Sequence, residues 1–324
     1  DDAPLTGLQI GVALLCGLIL ILDGYDLSTI GLVVPSLSHE WALAPAAFTQ
    51  AFALSSVGIM VGAMASGPIA DRFGRKPMLL FSVAMFGVFS LASAYASSLP
   101  MLVAFRFLTG VGVGGAMPTT VALTSDYAPA RWRTSLVMFM FTGASIGGFF
   151  AGQVAAQILP TWGWQGVFMV GGIVPLALLV VLFFALPESP QFRGGARPAS
   201  AKANPVSGLF QDGLALSTVM LWAIFLINLL NMYLIGYWLP TVLHLGGLTP
   251  ADAAFATSIY SAGAILSTLL LGPLITRFGA EGVLALSLLL GSVSIAILAT
   301  VPLAQAAMYV VLFVAGGGFV GSQL

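Results

Sequence analysis

Asp23 and Asp26 stand in the run Leu20-Ile21-Leu22-Asp23-Gly24-Tyr25-Asp26-Leu27, deep inside a long apolar stretch. On a helix that spacing places both carboxylates on one face. A carboxylate at bilayer depth costs about 2.5–3.5 kcal/mol on insertion scales, so such a pair faces a cavity or a partner rather than lipid. Two acids held out of water can take up a proton from one side and release it to the other. The other reading is a hydrogen-bond cluster closed by Tyr or Asn from neighbouring helices. Gly24 leaves room for close approach of a ligand or a helix. Arg106, in Arg106-Phe107-Leu108-Thr109-Gly110, is the one basic residue inside an apolar segment. A buried guanidinium needs anions, and the aspartates are natural partners. Its planar fork equally suits the carboxylate of an anionic ligand, and a place near the segment's end also allows snorkelling.

The elements that must position these groups follow from composition. The 324 residues are 59% hydrophobic and 6% charged, against about 25% charged in soluble domains, and mean hydropathy is +1.05. This is an all-α polytopic membrane protein. Ten spans are expected, over 7–37, 46–69, 78–96, 100–124, 134–158, 166–186, 214–242, 251–275, 282–300 and 305–324. The first is too long and too polar at its centre for a cleaved leader. Residues 187–213, rich in Pro, Gly, Ala and Ser, read as a flexible linker between residues 1–186 and 214–324. Lys and Arg total 10, and all but Arg106 fall in the gaps after even-numbered spans: Arg72, Arg75, Lys76, Arg131, Arg133, Arg193, Arg197, Lys202 and Arg277. The positive-inside rule then puts those gaps, the linker and the amino terminus in the cytoplasm.

The two parts repeat at an offset of 205 residues (67 to 272): Gly67-Pro68-Ile69-Ala70-Asp71-Arg72-Phe73-Gly74 aligns with Gly272-Pro273-Leu274-Ile275-Thr276-Arg277-Phe278-Gly279. Parallel six-span halves joined by a long loop place a ligand near the midplane and move by alternating access. The offset pairs Asp23 with Asn228 and Asp26 with Asn231. The first half would titrate and the second would supply uncharged donors and acceptors. The second half holds four spans by this count, so the chain reads as part of a longer protein.

Other constellations have plainer readings. Gly110, Gly112, Gly114 and Gly115, like Gly143, Gly147, Gly148 and Gly152, are small faces for helix packing, since the context and Lys of a phosphate loop are missing. Cys16 alone excludes an intramolecular disulfide and reads as a small core residue. His39 and His244 read as solvated loop residues. No catalytic motif is visible, so an enzyme is not expected. Asp71, Arg72, Arg75 and Lys76 crowd one tight turn, where Asp71 can pair with Arg131 or Arg133 as a conformational latch. Tyr25, Tyr233 and Tyr237, with Asn228 and Asn231, are candidates for the lining of an aromatic pocket, and Trp238 for the same or for an interfacial anchor.

The run Gly67-Pro68-Ile69-Ala70-Asp71-Arg72-Phe73-Gly74-Arg75-Lys76-Pro77 resembles the signature loop of the major facilitator superfamily. Asp23-Gly24-Tyr25-Asp26, Arg106 to Gly114, Asp126-Tyr127-Ala128-Pro129 and Leu186-Pro187-Glu188-Ser189-Pro190 are similar to its aromatic acid:proton symporters. The resemblance implies a bacterial inner-membrane symporter for a hydroxybenzoate or phenylpropionate, driven by the proton gradient without a cofactor or metal and without nucleic-acid partners. It implies coupling by Asp23 and Asp26, and gating by Asp71, Arg72, Arg75, Lys76 and Asp126. Thr276 departs from the family's acid in the second loop. Rival readings are a carrier of another organic anion, a sugar or a drug, and a membrane sensor that binds the same ligand without moving it.

Overall fold

A computed structural model describes residues 5–193, 215–301 and 304–321, all of them helical or in short connections. The helices are α1 (Gly7–Glu40), α2 (Thr49–Phe73), α3 (Arg75–Ser93), α4 (Leu99–Tyr127), α5 (Arg133–Ala185), the short α6 (Pro190–Arg193), α7 (Ala215–Leu245), α8 (Pro250–Phe278), α9 (Ala280–Thr300) and α10 (Gln305–Gly321). Thr6 opens α1 with a reciprocal cap: its hydroxyl accepts from Gln9 N at 3.4 Å and Gln9 Oε1 accepts from Thr6 N at 2.9 Å. Among the described residues, seven helices are long and apolar enough to cross a membrane, with α5 counted once, and Gln305–Phe319 is a shorter apolar one.

Two details differ from the expected spans. The polar break foreseen over Leu159 to Gln165 shrinks to one residue, Gly163, whose φ of 64° and ψ of −168° suit glycine alone. Both limbs of α5 nevertheless meet Tyr25. A Cβ on Gly147 would strike its backbone, and one on Gly171 would lie 3.2 Å from its ring. The chain therefore doubles back at the break. The linker also starts later than expected. Leu186 is buried and Glu188 and Ser189 are tied to the first half, while 194–214, with Arg197 and Lys202, lie outside the described residues.

The helices meet through glycine. A Cβ at Gly24 would collide with the Ala144 backbone, and one at Gly147 with Ile21 O. The repeat is visible as repeated packing. In the first half, Gly58 abuts Phe107 O, Gly110 abuts Ser55 O, and Gly112 abuts Ser82 O and Phe86 N. In the second, Gly263 abuts Phe313 O, Gly316 abuts Tyr260 O, and Gly318 abuts Ser287 O and Gly291 N. Close backbone approach lets van der Waals contact hold helices together where lipid gives no hydrophobic drive.

Two substitutions test this packing. Gly147→Ala should destabilise the fold by about 1–3 kcal/mol, because its Cβ meets backbone that cannot rotate away. Gly11→Ala, with open space around its Cβ, should be neutral or stabilising by up to about 1 kcal/mol through helix propensity. Thermal unfolding in detergent distinguishes them.

Candidate functional site

Arg106 lies on α4 at 1% exposure, and every nitrogen of its head is engaged. Nη1 donates to Asp26 Oδ1 and Oδ2 at 3.2 and 3.3 Å. Nε and Nη2 donate to Ser93 Oγ at 3.2 and 3.0 Å, and Nη2 also donates to Thr109 Oγ1 at 3.0 Å. The Phe168 ring covers the guanidinium at 4.8 Å, a geometry in which the ring's negative face attracts a desolvated cation. Of the three readings of Arg106, snorkelling is ruled out by this burial. The first half alone satisfies the charge.

Asp23 sits one helical turn from Asp26 and is 4% exposed. Its Oδ1 has no hydrogen-bond partner among the described residues. Tyr233 of α7 lies within electrostatic reach of it, so Asp23 borders the second half. Tyr25 points elsewhere: its hydroxyl donates to Val167 O at 3.1 Å, in the core between α1 and α5. That placement removes it from the lining of a pocket between the halves. Asn231 Nδ2 donates to Ile227 O of its own helix at 3.1 Å, and the Asn228 side chain lies outside the described residues.

The basic end of the bundle carries Arg72, Arg75 and Lys76; the opposite end is closed where the halves touch. Phe52 of α2 and Tyr237 of α7 stack at 4.7 Å with planes 4° apart, and Trp238 stands edge-on to Phe52 at 5.5 Å. Gly31 gives α7 room beside α1, since a Cβ there would strike Tyr237 O at 2.7 Å. Gln153 Nε2 of α5 donates to Ser258 Oγ of α8 at 2.8 Å. Tyr237 is thus part of a seal at that end rather than a free pocket wall.

At the basic end the ion pair is Arg75 with Asp126, and Ser189 Oγ donates to the same carboxylate. Asp71 is exposed, as are Arg72, Arg131 and Arg133. Arg72 and Arg131 lie over Phe73 and Trp132 at 5.2 and 5.6 Å. The latch expected between Asp71 and Arg131 or Arg133 is therefore not the contact made; the turn is fastened through its second half. Glu188, within the expected linker, belongs to this cluster. Its carboxylate accepts Arg75 N at 2.9 Å and Lys76 N at 3.3 Å, capping the positive end of α3. Tyr127 Oη donates to Glu188 O at 2.7 Å, and Lys76 Nζ to Phe183 O at 2.7 Å. Gly74, at φ 103°, leaves room for that carboxylate: a Cβ would lie 2.5 Å from Oε2. The signal was the run Pro187-Glu188-Ser189-Pro190, a charge flanked by helix breakers.

A bundle of apolar helices with charges buried on one side of a two-part repeat defines a membrane carrier, and comparison with known proteins gives its family. The sequence pattern described as Major Facilitator Superfamily matches residues 16–323. The chain belongs to that superfamily and is a transporter, not an enzyme. It is 35% identical to the 4-hydroxybenzoate transporter PcaK of Pseudomonas aeruginosa, over 90% of this chain and 71% of that protein. It is 33% identical to a gallate transporter of Pseudomonas putida (100% and 78%) and 38% identical to the 3-(3-hydroxy-phenyl)propionate transporter of Escherichia coli (86% and 70%). In fold it resembles a bacterial homologue of the human lysosomal transporter Spinster in an inward-facing, unoccupied conformation, with a TM-score of 0.75 at 21% identity over 99% of this chain and 75% of that one.

Arg106→Met should destabilise by about 3–5 kcal/mol, because it leaves the Asp26 carboxylate buried without its partner. Adding Asp26→Asn should recover much of the melting temperature, which thermal unfolding in detergent reads directly. Glu188→Ala should cost about 0.5–2 kcal/mol by uncapping α3 and should raise protease sensitivity at the turn around Gly74.

Proposed function

We propose that this chain is a proton-coupled symporter that brings an aromatic carboxylic acid into the cell by alternating access. The carrying observation is the buried Asp23, whose Oδ1 has no hydrogen-bond partner among the described residues, beside the Asp26–Arg106 pair and within electrostatic reach of Tyr233 of α7. Relatives that carry 4-hydroxybenzoate, gallate and 3-(3-hydroxy-phenyl)propionate support the substrate class. A titratable acid in hydrocarbon supports coupling to protons, since such residues in spans mark proton relays. No cofactor enters this reading; the proton gradient supplies the drive.

The same proposal has ten spans, six in the first half and four in the second, with the basic end and the amino terminus in the cytoplasm of a bacterium's inner membrane. The Phe52–Tyr237 seal then closes the outer face. The Arg75–Asp126–Ser189 contacts, with Glu188, hold the inner end of the first half as one body while the halves rock. Asp71, exposed at that end, is free to meet the second half in the other conformation.

The test is uptake of 4-hydroxybenzoate and 3-(3-hydroxyphenyl)propionate by the full-length chain in proteoliposomes under an imposed pH gradient, against hexose and dicarboxylate competitors. Uptake should follow the gradient, collapse with an uncoupler, and be lost in Asp23→Asn. Flux of hexose alone, or gradient-driven uptake untouched by Asp23→Asn and Asp26→Asn, would end the proposal.

A further inference from the structure

The two aspartates are held so differently that they cannot share one role. Asp26 is locked: both oxygens accept from Arg106, whose remaining nitrogens are taken by Ser93 and Thr109 and whose face is closed by Phe168. Asp23 Oδ1 has no partner among the described residues, at 4% exposure and within electrostatic reach of Tyr233 of α7. A substrate anion reaching this depth meets no free guanidinium. Arg106 would have to break a full set of contacts to receive it, and no other described cation lies within the spans at this depth.

We propose that protonated Asp23 is itself the group that binds the substrate's carboxylate, while Asp26 is a fixed counter-ion for Arg106. This rests on the aromatic-acid reading above and deepens it. In the loaded state the Asp23 O–H donates to a carboxylate oxygen of the substrate. An ionised Asp23 has no hydrogen to give and adds a second negative charge. At about 4 Å and an effective dielectric near 20, that repulsion alone weakens binding about a thousandfold. The balance is simple. On the outer side a proton from water forms the O–H bond and the anion binds to it. On the inner side the anion leaves, the O–H bond breaks and the proton passes to water. One proton and one monoanion cross together, so this step moves no net charge.

The titratable and charged groups around Asp23 are compatible with this role. Its own helix brings Asp26 and Tyr25, α4 brings Arg106 paired with Asp26, and α7 brings Tyr233, with Tyr237 beside that ring at 5.7 Å. The limb of α5 packed on this stretch brings Gly143 and Gly147, and Tyr260 of α8 packs toward α10. With Asp26 and Arg106 paired, the proton on Asp23 decides the local charge.

The experiment measures 4-hydroxybenzoate binding and transport in the full-length chain. In weakly buffered detergent solution above the Asp23 titration, binding to the wild type should take up about one proton per anion, and affinity should fall about tenfold per pH unit. The methyl ester of 4-hydroxybenzoate, which lacks the carboxylate, should neither show that slope nor take up protons. Asp23→Asn keeps a donor, so its binding should persist with the pH slope gone and exchange across the membrane retained without accumulation. Asp23→Ala, checked for an unchanged melting temperature, should bind about a hundredfold more weakly or worse. Wild-type accumulation should respond to a pH gradient and ignore an imposed potassium diffusion potential. Binding without proton uptake, or an Asp23→Asn variant with the wild-type pH slope, would overturn the proposal. Wild-type chain that neither binds nor moves an aromatic acid would instead remove the reading beneath it.

Discussion

One ion pair out of water sets the terms for the rest of the first half. Removing a guanidinium and a carboxylate from solvent is repaid only when geometry is good and every remaining donor is satisfied. Arg106 meets that demand by drawing on several helices: Asp26 from α1, Ser93 from the end of α3, Thr109 from α4 and the Phe168 ring from α5. Helices so joined must approach closely at one depth, and the glycines that line them make that approach possible. Gly24 and Gly147 seat α1 on α5, while Gly110 and Gly58 seat α4 on α2. The charge and the glycine faces are thus two sides of one requirement.

The second half solves its packing by the same contacts without the charge. Its glycines recur in register, yet the position matching Arg106 in that packing is Leu312, buried in an apolar cluster. Hydroxyls and aromatic rings take over: Ser258, Tyr233, Tyr237 and Trp238 face the first half. The ion pairs Arg106–Asp26 and Arg75–Asp126 both lie within the first half, so neither ties the halves together across the seam.

What could be read from the chain depended on contrast. Asp23, Asp26 and Arg106 stand out because charge is rare in hydrocarbon, and the repeat stands out because Gly-Pro and Arg-Phe-Gly recur at fixed distance. Ser93 and Phe168 carry no such signal, since serine back-bonds freely in membrane helices and phenylalanine is ordinary in an apolar span. Adjacency to acids says nothing of where the Tyr25 hydroxyl points, which is toward Val167 O. Nothing local marks Glu188 as part of the first half, because its partner amide is 113 residues away, at Arg75. The expected Asp71 pairing with Arg131 or Arg133 gives way to one between Arg75 and Asp126, a choice among acids and bases that spacing cannot make. The reversal between 134–158 and 166–186 is legible from Pro160 and Gly163; its extent is not, because one glycine suffices where 159–165 reads as a loop.

The flatness of the Phe52–Tyr237 contact has a consequence for how the molecule parts. Rings lying 4° from parallel present no interlocking edge, so they can slip past one another in their shared plane and surrender contact gradually. Interdigitated aliphatic teeth would have to be lifted clear in one step. Contact of this kind can be given up by lateral glide, and the upright indole of Trp238, edge-on to Phe52, borders the path of that glide on one side.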